Sequence, residues 1–191
     1  MFKIKKIISI TLIILITLSS IGFAEDLKVQ EKAAKRLITL DIVTGYEDGS
    51  LKLENNITRA EFATLVVRLI GRDDEAESYK KDTKFTDVKG DFWGAGYINI
   101  AVKEGLFNGY EDGSFRPNNN ITYGEVLALM VRILGYDDTL DPEKKWPLNY
   151  VDKANELGIN RDKILMPNSQ ASRGDSFVFV DRSLVVDLKK N

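Results

Sequence analysis

Two arginines stand where a helix would begin. Arg59 lies in Thr58-Arg59-Ala60-Glu61 and Arg173 in Ser172-Arg173-Gly174-Asp175, while Thr122-Tyr123-Gly124-Glu125 keeps the pattern with Tyr for Arg. A hydroxyl residue three places before an acid is a capping box: the hydroxyl accepts from the N3 amide and the carboxylate reaches back to the N-cap amide. Asp175 is one methylene shorter than Glu, so the third box is expected to be weaker. The arginines fit that scheme less well. A cation at the first helical position opposes the helix dipole by about 0.3 kcal/mol or more, and the apolar stripe starts only three residues later, so packing does not ask for it. A guanidinium beside free helix N–H groups is a receptor for a carboxylate or phosphate; an Arg that is solvated or paired to a neighbouring Asp is the competing reading. With Tyr123 in that position, an anion site in the second copy is altered or absent.

Aromatic residues are the next candidates. Tyr46 and Tyr110 follow Gly45 and Gly109 in what read as exposed turns, and either could stack on a sugar ring. Trp93 and Trp146 could do the same, but large aromatics usually report burial, and both are expected to cap the core. Other chemistries drop out. The chain has neither His nor Cys, so it offers no imidazole base, thiolate, ordinary zinc site or disulfide. Glu47-Asp48 and Glu111-Asp112 each supply two adjacent carboxylates, too few for a calcium loop. Glu61 is committed to a cap and Asp48 to a polar turn, so no carboxylate pair is tuned for glycoside hydrolysis. Catalysis and a cofactor are not expected. With 27 basic against 29 acidic side chains, the chain lacks the basic stripe of a nucleic-acid binder.

The elements that position these residues are repeated. Gly45–Gly71 and Gly109–Gly135, offset by 64 residues, agree at 15 of 27 positions without a gap. A third, eroded copy follows: Trp146, Tyr150, Val151 and Ala154 echo Trp93, Tyr97, Ile98 and Ala101, and residues 160–170 replace the Gly-Tyr-Glu-Asp-Gly-Ser loop. Each copy predicts two helices. The first carries Ala34, Leu37 and Ile38; Ile98, Ala101 and Val102; or Val151, Ala154 and Leu157. The second, in the first copy, carries Phe62, Leu65, Val66, Leu69 and Ile70 on one stripe and stops at Gly71. Such units cannot bury their stripes alone and must stack. The fold class is therefore mainly α: three helix–loop–helix repeats in a pseudo-threefold bundle. The expected boundaries are 25–71, 85–135 and 146–186 for the repeats, 72–84 and 136–145 for charged linkers, and 187–191 for a tail.

Ahead of them, Lys3, Lys5 and Lys6 precede an apolar run over 7–18, and Gly22 and Ala24 sit three and one places before a cut after Ala24. Residues 1–24 read as a secretory signal peptide, the alternative being an uncleaved anchor. Cleavage would leave 24 basic and 29 acidic side chains, net −5, and no further run long enough to span a membrane.

The three tandem units, the Phe85-x-Asp87-Val88…Trp93 opening, the Gly-Tyr-Glu-Asp-Gly-Ser loop and the Ile57-Thr58-Arg59-Ala60-Glu61 helix start resemble S-layer homology domains over about residues 30–185. The resemblance implies a pronged pseudo-trimer with a central three-helix bundle. Its inter-repeat grooves would hold a secondary cell-wall polysaccharide, typically pyruvylated, with the Arg of the helix start on the ligand's acid group. It makes Arg59 and Arg173 the site residues, with Thr58 and Ser172 shaping the helix starts and Gly45 and Tyr46 walling the groove. Tyr110 and Tyr123 are their counterparts in the second copy. Departures limit it: copy one lacks the Phe-x-Asp…Trp opening and has Val29 at the Trp position, Tyr123 replaces the Arg in copy two, and copy three has a shortened loop and an atypical helix at Ser176, Phe177, Val178 and Phe179. At most two grooves are expected to be competent. The implied role is non-covalent attachment to the wall of a bacterium, with the polysaccharide as partner and an S-layer or envelope protein as a second. The alternative is an envelope interaction protein whose grooves no longer bind glycan, and a wall hydrolase is the weakest reading.

Overall fold

The structure, a computed structural model, describes residues 24–189 apart from 162 and 164. Nearly all of the expected signal peptide lies outside the described residues. Among the described residues six α-helices follow one another: α1 over 24–39, α2 (Arg59–Leu69), α3 (Ala95–Lys103), α4 (Tyr123–Ile133), α5 (Leu148–Glu156) and α6 (Arg173–Ser183). Short 3₁₀ turns, Asp73–Glu75 and Asp137–Thr139, interrupt the linkers. Among the described residues only isolated β-bridges occur, and no helix is long and apolar enough to cross a membrane.

The second helix of each unit starts where the cap residues demand. Thr58 and Thr122 form full capping boxes with Glu61 and Glu125, whereas Ser172 accepts from the Asp175 amide without a returning bond from Asp175. Gly71 and Gly135, at φ +73° and +82°, terminate α2 and α4 in the left-handed region that favours glycine. The stripes widen into burial on most sides. Phe62, Ala63, Val66 and Val67 of α2, Val126, Leu127, Met130 and Val131 of α4, and Phe177 to Val180 of α6 are all buried, so these three helices are the inner elements.

Their starts are tied in a ring. The Ile57 amide donates to the Ala171 carbonyl, Ala171 to Ile121, and Ile121 to Ile57. One residue earlier, the Asn56 and Asn120 side chains both donate to the Gln170 side-chain oxygen. The outer helices close the ring out of register: α3 packs on α2 and α5 on α4, so each outer helix lies against the inner helix of the preceding unit. Helix α1 completes the circuit on α6, through Arg36 to Asp181 and Gln30 to Asp175. In α1 the buried face is Ala33, Ala34 and Leu37, and Ile38 is exposed.

Two expectations fail. Trp93 and Trp146 do not cap the core: they are 53% and 54% exposed. Phe92 and the apolar face of α3 already fill that place, and the Trp93 ring leans on Phe92 at 5.4 Å between centroids. The arginines, expected to play no part in packing, are 4% (Arg59) and 6% (Arg173) exposed, because each points across a unit boundary into its neighbour.

Candidate functional site

The first residue of each inner helix reaches the capping-box acid of the next unit around the ring. Arg59 Nη1 meets Glu125 at 2.7 Å, Tyr123 Oη donates to Asp175 at 2.6 Å, and Arg173 Nη1 meets Glu61 at 3.2 Å. Carbonyls fix the guanidinium planes: Arg59 also donates to Phe115 O and Asn108 O, and Arg173 to Leu51 O. Aromatic rings flank both, Tyr110 and Phe115 around Arg59, Tyr46 and Phe177 around Arg173. Among the described residues, three of Arg59's five N–H groups and two of Arg173's are engaged, which leaves donors on each.

The helix N–H groups offered by the sequence argument are not free. Arg59 N donates to Asn119 O and Ala60 N to Pro117 O; Tyr123 N and Gly124 N, and Arg173 N and Gly174 N, make the equivalent bonds to the loop of a neighbouring unit. Those amides are consumed in joining the units, so a helix-terminus anion site does not exist here. Any anion there would have to be held by side chains.

Two cavities hold those side chains. The larger, about 350 Å³, brings Arg173 and Phe177 of α6 beside Gly45 and Tyr46 of the first loop, Glu61 and Arg68 of α2, and Trp93 with Tyr97 ahead of and on α3. The second, about 220 Å³, is its counterpart one unit on, built around Arg59, Gly109, Tyr110, Glu125, Arg132 and Trp146. Each groove is therefore assembled from three units, and its arginine comes from the unit before. Gly45 and Tyr46 stand with Arg173, not Arg59; Arg59 stands with Tyr110. Thr58 and Ser172 remain at the caps. Tyr123 lies in neither groove and serves the third unit boundary.

The carboxylates are tethered. Glu61 accepts from Tyr46 Oη at 2.8 Å, from the Thr58 amide and hydroxyl, and from Arg173. Burial, then the bond to Glu61, pushes the Tyr46 phenol up, so it stays a donor at neutral pH. Arg68 donates to Asp73 and Thr44, and Arg132 lies 3.7 Å from Asp137 and against Tyr150. Each groove thus carries two arginines, each of them paired with a carboxylate.

The third boundary is filled. Asp175 accepts from Lys163, Gln30 and Tyr123, and Lys163 also reaches Asp26 of α1. Burial works against Asp175's charge, but the bonds from Lys163 and Tyr123 outweigh it and hold the carboxyl below its ordinary range. Arg68 and Arg132 are not among the residues expected from the sequence, although both copies keep Arg at that position in the last helical turn. Nor do the two exposed tryptophans lie in the core, where the sequence reading places them. Among the described residues no cluster of acidic side chains is arranged to hold a metal ion.

The S-layer homology domain matches residues 28–63 and 84–127. The chain is 44% identical over 158 residues to a middle cell wall protein of Brevibacillus brevis, covering 83% of this chain and 15% of that protein. It is 34% identical over 201 residues to a cell surface protein of Thermoanaerobacter kivui, covering 100% and 26%. It is 31% identical over 154 residues to a cellulosome-anchoring protein of Acetivibrio thermocellus, covering 73% and 34%. The chain spans between about a seventh and a third of these relatives' lengths.

Proposed function

The chain belongs to the S-layer homology family, a family of bacterial cell-surface proteins, and from that premise we infer that it attaches non-covalently to the cell wall by holding an acidic wall polysaccharide in its two grooves. The observation that carries the reading is the recurrence, one unit apart, of the same assembly: a buried arginine fork, a second arginine in the last turn of the inner helix, a loop tyrosine and a half-exposed tryptophan. An anionic substituent, such as the carboxylate of a pyruvate ketal, would take the remaining N–H groups of Arg173 or Arg59. A guanidinium already oriented by carbonyl and carboxylate loses little freedom on binding. The tryptophan offers its face to the C–H side of the adjoining pyranose ring.

The ion pairing of both arginines favours a second reading, in which Arg59 and Arg173 only staple the units together and the protein serves an envelope protein partner. Substitutions at the staple cannot separate the two, since they would disturb the fold. Trp93→Ala and Trp146→Ala can, because both side chains are half exposed and hold no cap or ion pair. Co-sedimentation with purified walls, before and after hydrofluoric-acid extraction of the wall polysaccharide, tests the reading. Binding that is lost on extraction and falls in both tryptophan variants, with circular dichroism unchanged, is the expected result. Binding that survives extraction would sink the glycan reading and leave the protein-partner one.

A further inference from the structure

Left-handed backbone falls on glycine except, among the described residues, at Asp41, Lys52 and Arg116, where φ is 57°, 47° and 58°. Asp41 follows α1 as Gly105 follows α3, and a short polar side chain tolerates that conformation. Lys and Arg gain no such relief. Lys52 and Arg116 are the same position of the first two units, 64 residues apart. Each opens a turn: Asn55 N donates to Lys52 O at 3.0 Å, and Asn119 N to Arg116 O at 3.1 Å. The third unit closes the same turn from Met166, whose carbonyl accepts from Ser169 N at 2.9 Å, and Met166 lies outside the left-handed region. The turn therefore does not require the strained backbone.

What the first two units have and the third lacks is a loop tyrosine. Lys52 Nζ lies over the Tyr46 ring, 4.2 Å from its centroid, and Arg116 Cζ lies over the Tyr110 ring at 3.8 Å. Arg173 and Arg59 lie over the same two rings at 4.7 and 4.9 Å, so each groove tyrosine carries two cations. The loop holds the second cation in place. Asp112 and Ser114 accept from the Arg116 fork at 2.9 and 3.2 Å, and Asp48 lies 3.6 Å from Lys52. In the third unit, where residues 160–170 replace that loop, Met166 is neutral and 77% exposed. The two tyrosines also differ. Tyr46 is tied through its hydroxyl to Glu61, whereas among the described residues the Tyr110 hydroxyl makes no hydrogen bond, which leaves its ring to the cations.

We propose that Lys52 and Arg116 are positioning residues of the two grooves: each holds the loop tyrosine in place beside the buried arginine, and the strained backbone is what sets its cation over the ring. The inference rests on the glycan reading above. A cation over an aromatic face is attracted by the ring quadrupole, and a non-glycine residue persists in the left-handed region only where its surroundings hold it there. Arg116 carries the larger share, because Tyr110 has no hydroxyl tie to fall back on.

The test is calorimetric titration of the full chain with a short fragment of hydrofluoric-acid-released wall polysaccharide, alongside urea unfolding. Arg116→Met keeps the side-chain bulk without the charge and should weaken one of the two binding events about tenfold; Lys52→Met should weaken the other about threefold. Arg116→Lys should stay within about threefold of the parent. Arg116→Gly should bind as poorly as Arg116→Met without lowering the urea midpoint, because glycine accepts the positive φ. Once Tyr110→Leu has removed the ring, adding Arg116→Met should change the affinity by less than about twofold, the mark of a residue that acts through the tyrosine. Unchanged affinity in Arg116→Met, or the same loss with and without the ring, would overturn the positioning role and leave the glycan reading standing. A parent protein that binds no fragment would overturn both.

Discussion

At the scale of single residues, the arginines join one unit to the next. Arg59 is inside the molecule, bonded to one carboxylate and two carbonyls from the following unit. Removing one partner of a buried pair strands the other charge and typically costs about 3 kcal/mol or more. Arg59→Ala should lower the urea midpoint accordingly, and Arg59→Lys should recover only part of the loss, because one ammonium cannot reproduce a planar fork. A change under about 1 kcal/mol would contradict the staple. Asp175 gives a pH signature. Its folded carboxyl sits below the ordinary value, so its contribution is complete above about pH 4, the unfolded value, and is lost as pH falls through the lower folded one. Urea midpoints measured from pH 2 to 7 should show a shallower acid limb for Asp175→Asn. The cap role of Thr58 and Glu61 was legible in the sequence, since a box closes within four residues. The partner of Arg59 was not, because Glu125 lies 66 residues away and no local pattern encodes the pairing.

At the scale of elements, apolar spacing located the inner helices and glycine their ends, because both are decided within a turn or two. What escaped was which helices belong together. The repeat predicts that units stack but not which helices touch; the structure lays each outer helix on the inner helix of the preceding unit. That choice depends on surfaces brought together only by the ring. It also explains the tryptophans: once α3 sits on α2, its start overhangs the groove beside Tyr97, and Trp93 is left at the rim. The α3 contact should tolerate little change. A methyl at Gly96 would collide with the Ala76 backbone, and overpacking of this kind costs about 1–3 kcal/mol. Gly96→Ala should therefore lower stability by that amount in urea unfolding and weaken wall binding with it by shifting Trp93. A Gly96→Ala protein with unchanged stability would show that the linker yields freely.

For the molecule as a whole, closure of the ring makes the units depend on one another. Every inner-helix start donates to a neighbour's loop, and both grooves draw on three units, so no unit carries a site alone. Two grooves on one rigid frame also change the binding arithmetic. On the proposed function, a polymer held in the first groove meets the second at an effective concentration set by the frame, and retention would exceed either single affinity by about 10²-fold or more. Trp93→Ala and Trp146→Ala should then each reduce wall retention by about 10²-fold, far beyond the halving expected of independent sites. The double variant should fall to background. The same variants titrated with a short wall-glycan fragment, unable to bridge both grooves, should each lose only one of two binding events and keep the affinity of the other. Retention that merely halves in each single variant would mean that the grooves engage separate chains, and that the ring serves stability alone.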